Sequence, residues 1–400
     1  MLTVRRMTPD DIDAAADLTA RVFADDAEEQ EGMFALMRAA YQSCPFIPPD
    51  LCWIGVEDER LVVKWQLLDF RMRIAGTVVP IAGIQGVVAE PDANHKGYAI
   101  QASIAALKDI GELDFDMLVG FAQRGGLYAK IGAVPVAAEY DLELDARAIP
   151  RLRVDPFHEW NELAELPALV DHYNAGNAER TGPLVRTEAL WPWLVRKPPV
   201  VHMSDAGYIG VRYNEDELEI REIAGQGEAF HEAALYKLAD LARERGVRRI
   251  RGAVPADHPL VAAALHYGAR ITTHYTKRSG CISLCNAPLR LLGRIQGALD
   301  TRLQGSRHHN VHLDLGVRCG EEEIRLAINA DARSGKKIDI ELEHGAIQQM
   351  CMGYKPVRTL LLEHARETGS ALPVLEDESL DILETLFPQG HPFMWQTDRY

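Results

Sequence analysis

Cysteine is scarce: Cys44, Cys52, Cys281, Cys285, Cys319 and Cys351 are spread over 400 positions. That density is too low for a disulfide framework and the spacing matches no zinc site, so no metal is expected. Cys281 and Cys285 are spaced to share one helical face, where two buried thiols are expected rather than half a metal site. Long hydrophobic runs are also missing. No stretch approaches the ~18 uncharged apolar residues of a membrane span, so no membrane partner is expected. The opening Met1-Leu2-Thr3-Val4-Arg5-Arg6 lacks the apolar core of a signal peptide, which makes the cytoplasm the expected compartment. Basic residues are outnumbered, 43 Lys and Arg against 59 Asp and Glu, and the net charge of -16 argues against a nucleic-acid partner. It favours a cationic or neutral one.

What is present reads as two or three domains, since 400 residues exceed what one core usually serves. Thr8-Pro9-Asp10-Asp11 signals a helix start, with a threonine N-cap, proline in the first turn and two acids at the positive end of the dipole. The acidic run Asp25, Asp26, Glu28, Glu29 and Glu31 has two readings: a solvated helix start, or one wall of a pocket for a cationic substrate. Trp53–Glu57, Leu61–Met72, Thr77–Pro80 and Ile81–Ala89 carry strand patterns. A helix over Ala99–Ile110, a strand over Phe115–Phe121, a short helix over Gly125–Ile131 and an alternating strand over Val134–Leu144 follow. The order strand–helix–strand–helix–strand returns between Leu218 and Thr276, with helices over Ala229–Arg245 and His258–His266, which points to an internal duplication. A third unit from about Leu289 mixes strands and helices. The expected divisions are 1–150, 151–286 and 287–400. The last residues include Phe393, Trp395 and Tyr400, so this end is expected to be packed rather than mobile.

Chemistry concentrates in Val87-Val88-Ala89-Glu90-Pro91-Asp92-Ala93-Asn94-His95-Lys96-Gly97-Tyr98-Ala99. A buried strand ends in Glu-Pro, a turn follows, and a helix opens at Gly97. Free N–H groups at a helix start form an anion site, Gly97 lets an anion approach the main chain, and Lys96 adds positive charge. With the strand before it, this segment resembles motif A of the GNAT acetyltransferases, whose loop reads Arg/Gln-x-x-Gly-x-Gly/Ala. Asn94 departs from the first position, while Gly97 and Ala99 match. The resemblance implies acetyl-CoA as co-substrate, held by His95, Lys96, Gly97, Tyr98 and Ala99 at the pyrophosphate and by the main chain of Val87 and Val88 along the pantetheine arm. A tyrosine helix ending in glycine also matches, in Leu127-Tyr128-Ala129-Lys130-Ile131-Gly132. A phenol with an ordinary pKa of about 10 suits the donation of a proton to a departing thiolate, which makes Tyr128 the candidate acid.

The whole chain is similar to the enhanced intracellular survival (Eis) acetyltransferases. The matching stretches include Gly76–Ile84, Gln349-Met350-Cys351-Met352-Gly353-Tyr354 and Leu386-Phe387-Pro388. This resemblance implies an α/β (α+β) fold: a catalytic GNAT-type mixed-sheet domain, a degenerate second one, and a sterol-carrier-protein-like α+β domain ending in a packed tail. It also implies an N-acetyltransferase of primary amines, small-molecule or peptide, with aminoglycosides among the polycationic candidates. Tyr128 would be the general acid and the terminal carboxylate of Tyr400 the general base, in a homo-oligomer, commonly a hexamer. The second domain's Glu222-Ile223-Ala224-Gly225-Gln226-Gly227-Glu228 has glycines but no base, and reads as structural. Arg307-His308-His309-Asn310-Val311-His312 reads as an exposed strand entry with no carboxylate partner in view. The alternative is a non-catalytic protein that binds CoA or lipid.

Overall fold

The computed structural model describes residues 2–91, 96–122, 126–160, 164–191, 200–276, 280–369 and 376–399. Strand β1 (Thr3–Arg6) pairs with β2 (Cys52–Glu57), β2 with β3 (Arg60–Ile74), and β3 with β4 (Thr77–Ala89), all antiparallel. Two helices intervene between β1 and β2: α1 (Ile12–Phe23) and α2 (Ala27–Ser43). Ahead of α1, the Thr8 N–H and hydroxyl both donate to Asp11, at 2.9 and 2.8 Å. Asp26 caps α2 by accepting the Glu29 N–H at 2.9 Å, and the acids around it are exposed, as a solvated helix start requires.

The two strands expected over 77–80 and 81–89 are one. Pro80 has no N–H to donate, yet its carbonyl accepts the Asp116 N–H at 3.0 Å and the ladder with β3 continues through it. After α3 (Tyr98–Ile110) the chain returns as β5 (Met117–Ala122), parallel to β4. The short helix α4 (Gly126–Ala129) and the two-residue strand β6 (Val134–Pro135) follow.

The single strand expected over Val134–Leu144 is broken into two that serve different sheets. β6 belongs to the first sheet, whereas β7 (Glu139–Asp145) lies in the second, between β12 (Arg249–Gly252) and β13 (Arg270–His274). In return, β14 (Gly280–Cys285) inserts between β5 and β6. The first sheet therefore runs β1-β2-β3-β4-β5-β14-β6. The second runs β13-β7-β12-β11-β10-β9-β8, where β8 is His158–Glu159, β9 Val200–Ser204, β10 Gly207–Tyr213 and β11 Glu217–Gly225. Each seven-stranded mixed sheet is thus completed by a strand that lies next in sequence to strands of the other sheet. Cys281 thus sits on a strand, not a helix, and its buried thiol is pushed up to about 12 by loss of solvent.

Helices α5 (Leu166–Gly176), α6 (Glu228–Glu244) and α7 (Pro259–Leu265) accompany the second sheet. The third unit is a small sheet, β15 (Val311–Cys319) between β16 (Glu322–Ile328) and β17 (Ser334–Glu341). Around it lie α8 (Pro288–Arg294), α9 (Gln296–Gln304), α10 (His344–Cys351), α11 (Val357–Thr368) and α12 (Asp377–Leu386). The entry to β15 does have a carboxylate partner: Asp381 on α12 takes Arg307 at 2.9 Å and His308 Nε2 at 2.5 Å, 73 residues or more along the chain. No described helix is long and apolar enough to cross a membrane.

The chain's end is packed, as its aromatics imply. Phe393, Met394, Trp395 and Asp398 are buried, and Trp395 Nε1 donates to Asn177 at 3.0 Å. Asp398 accepts from Arg186 Nε at 2.6 Å and from the Tyr173 hydroxyl at 2.7 Å. Arg186 also grips Glu222 with both terminal nitrogens, at 3.0 and 2.5 Å. A buried guanidinium is tolerated only when its charge and donors are fully met, and these partners meet them.

Candidate active site

The first sheet opens at one place, and Gly86 is the cause. In the β3–β4 ladder Gln66 faces Gln85 and Lys64 faces Val88, so β4 carries an extra residue there. Gly86 takes it up with φ +56°, a left-handed conformation that glycine adopts without steric cost. The parallel ladder to β5 ends at the same level, at Ile84 opposite Gly120. Beyond it the β5-facing side of β4, including Val87 and Val88, has no strand partner among the described residues.

Behind the bulge lies a side chain that composition concealed. Lys64 is fully buried, with Nζ on the Thr19 hydroxyl at 2.7 Å and the Tyr41 hydroxyl at 2.6 Å. A Cβ on residue 86 would lie 3.2 Å from Nζ. Loss of solvent pulls the Lys64 ammonium down to about 8. Just past the bulge, buried Glu90 ends the strand, held by Arg21 at 2.8 and 2.7 Å and by Arg60 at 2.9 Å.

Helix α3 begins with Gly97 as its N-cap, at φ +74°, and no side chain caps the first turn. Gln101 is the first residue whose N–H turns back, to the Gly97 carbonyl at 3.0 Å, so the N–H groups of Tyr98, Ala99 and Ile100 point out of the helix end. Nothing lies within 4 Å of the place a Gly97 Cβ would take. The result is an open cradle for an anion at the positive end of a 13-residue helix. Lys96 stands beside it, pairing with Glu57 at 3.3 Å and covering the Tyr98 ring at 5.3 Å. The Tyr98 hydroxyl donates to the same carboxylate at 2.5 Å, and these contacts hold the Glu57 carboxyl below its usual range. Lys96 and Tyr98 thus clamp the start of α3 to β2, while the main chain of 97–100 forms the cradle.

Tyr128, on α4, is half-buried and packs on the apolar cluster that includes Tyr98 and Ala102, together with Val87 and Ala99. Four sequence-predicted residues from three segments therefore share one cluster. The Tyr128 hydroxyl has no hydrogen-bond partner among the described residues, and burial raises its pKa, so the phenol keeps its proton at neutral pH. The predicted helix over 125–131 contracts to four residues. From the opposite side comes Arg399, whose guanidinium covers the Phe121 ring of β5 at 4.9 Å and donates to Glu139 at 3.1 Å. The tail anchored in the second domain therefore returns to the end of β5, beside the opening. His95 and Asn94 of the loop and Tyr400 lie outside the described residues.

A bulged β4 whose ladder to β5 has ended and an uncapped glycine-headed helix thus adjoin at the first sheet. Residues 3–136 match the family model of the acetyltransferase (GNAT) domain, and a domain of that family implies acetyl-CoA as co-substrate. The fold of the whole chain is shared with a GCN5-related N-acetyltransferase from Kribbella flavida: 16% identity, 100% of this chain and 98% of that one, TM-score 0.72. Eis1 from Mycobacterium abscessus is similar in fold at 13% identity over 98% of this chain and 99% of its own, TM-score 0.67. A GCN5-related N-acetyltransferase from Anabaena variabilis gives 14% identity, 98% and 99% coverage, and a TM-score of 0.72. No curated protein matches the sequence.

Proposed function

We propose that the first domain transfers the acetyl group of acetyl-CoA to a primary amine on a small molecule or peptide, polycations such as aminoglycosides included. The observation that carries this reading is the opening between β4 and β5 with a protonated, half-buried Tyr128 packed beside it. The residues fit the co-substrate: the N–H groups of Tyr98, Ala99 and Ile100, which follow Gly97, suit a pyrophosphate, with His95 and Lys96 preceding them in the chain. The β5-facing main chain of Val87 and Val88, without a strand partner among the described residues, suits the amide-bearing arm, taken up as an added strand.

Acetyl-CoA, when bound, supplies an activated thioester carbonyl. The Tyr128 hydroxyl then gives its proton to the sulfur as the C–S bond breaks and the N–C bond forms. The terminal carboxylate of Tyr400 takes a proton from the attacking amine. Support for that second role comes from Arg399, which ties the residue before it to Phe121 and Glu139. The third domain, proposed as sterol-carrier-like, would help hold this tail, and the assembly would be a homo-oligomer.

The test is CoA release from acetyl-CoA across a panel of amines that includes an aminoglycoside, with mass spectrometry of the product. Amine-dependent release with an acetyl group on nitrogen is the expected result. Acetyl-CoA binding without release for any amine would contradict it and favour a non-catalytic CoA-binding protein.

A further inference from the structure

The second domain repeats the order of the first: β11, α6, β12 and α7 follow one another as β4, α3, β5 and α4 do. The groove between the start of α6 and α7 is the counterpart of the acetyl-CoA cradle. It persists as a space of about 600 Å³. Its chemistry is inverted.

The first residue of α6 is Glu228, and Glu232 stands one turn further along the same face; both line the groove. Two carboxylates here repel a phosphate. Among the described residues no lysine or arginine lines the groove, and Glu232 accepts only the neutral Tyr236 hydroxyl, at 2.6 Å. Arg180, whose charge is felt at this site, is ion-paired with Asp257 at 3.2 Å. An independent observation comes from His231, which lines the groove and is only 5% exposed. Its Nδ1 lies 2.9 Å from the Gly227 carbonyl, an acceptor, so Nδ1 carries the hydrogen and Nε2 is left as an acceptor with no hydrogen-bond partner among the described residues. Burial lowers the pKa of this imidazole and keeps it neutral. Two carboxylates and His231 therefore line a groove whose remaining wall comes from Ala229, Pro259, Ala262, Ala263, His266 and Tyr267.

We propose that this groove binds an organic ammonium ion carried on a small apolar or aromatic body, at a site separate from the acetyl-transfer site of the first domain. The carboxylates meet the charge, His231 Nε2 accepts one ammonium hydrogen, and Tyr267 and the alanines cover the body.

Calorimetric titration of the full chain with phenethylammonium chloride, and with phenethyl alcohol as the neutral counterpart, tests this. The ammonium is expected to bind at least ~10-fold more tightly than the alcohol, a difference of about 1.4 kcal/mol. Glu228→Gln/Glu232→Gln should remove that preference, and Ala262→Trp, which fills the groove without changing its charge, should weaken binding of the ammonium by at least ~10-fold. These positions are exposed, so folding should survive, and a thermal melt checks it. Equal binding of alcohol and ammonium would overturn the proposal, as would unchanged ammonium binding in both variants. Acetyl transfer in the double variant should match the parent, so failure here leaves the reading of the first domain standing.

Discussion

Arg186 and Asp398 join through Nε and Oδ1 at 2.6 Å, and neither side chain retains solvent-exposed surface. The pair spans 212 residues and fixes the last turn of the chain to the second domain, two positions before Tyr400. From there Arg399 reaches back to Phe121 of the first domain. Asp398 is thus anchored beside Glu222 of β11 in the second sheet, whereas Arg399 lies against β5 of the first.

Arg186→Met strands Glu222 and Asp398 as buried carboxylates without a counter-charge. The expected loss of stability is roughly 3–5 kcal/mol. Asp398→Asn keeps the shape and one acceptor, so it should cost less while loosening the tail. In Asp398→Asn, acetyl transfer should fall by ~10-fold or more, with acetyl-CoA affinity within about 2-fold of the parent. Denaturant melts, turnover and CoA titration read the three quantities. Unchanged turnover with a detached tail would remove the tail from the mechanism.

Gly97→Ala places a Cβ at φ +74°, a conformation that costs an L-residue roughly 1–2 kcal/mol. The methyl also enters the cradle, where nothing now stands. The expected outcome is weaker acetyl-CoA binding, by about 10-fold, with a modest drop in melting temperature. Unaltered affinity would mean that the pyrophosphate does not lie against Gly97.

Lys64 supplies a pH prediction. Its folded pKa of about 8 lies below the ordinary lysine value of 10.5, so the unfolded chain binds the proton more tightly. Below pH 8 both states are protonated and the penalty is fully present, on the order of 3 kcal/mol. Stability contributed at this site rises between pH 8 and 10.5. Lys64→Met loses the hydrogen bonds to Thr19 and Tyr41, worth about 1 kcal/mol each. The variant should therefore be at least as stable as the parent at pH 7, and its relative stability should decline as pH rises to 10.5. Urea melts at several pH values measure this, and a large pH-independent loss would contradict it.

The loop-to-helix cradle was legible because its signals are local: a β-rich run, a turn and glycine at a helix start. Gly97 and Ala99 could be picked out from the few residues around them. Strand exchange was not legible. Nothing within Gly280–Cys285 says that it will pair with β5 rather than with its own half, because the preference comes from the edge left open by Gly120–Ala122. Lys64 and Arg186 were hidden for a related reason. Charged residues are normally solvated, and only partners 23 to 212 positions away make their burial possible. The pairing of Lys96 with Glu57, 39 residues earlier, was not legible either.

Acid catalysis by Tyr128, as proposed for acetyl transfer, is tested by steady-state CoA release by wild type and Tyr128→Phe with the same amine, alongside acetyl-CoA affinity. The account predicts a fall in turnover of about 10²-fold or more with affinity within about 2-fold, since only the hydroxyl is lost and its ring still packs. Turnover in Tyr128→Phe equal to the parent's would contradict it.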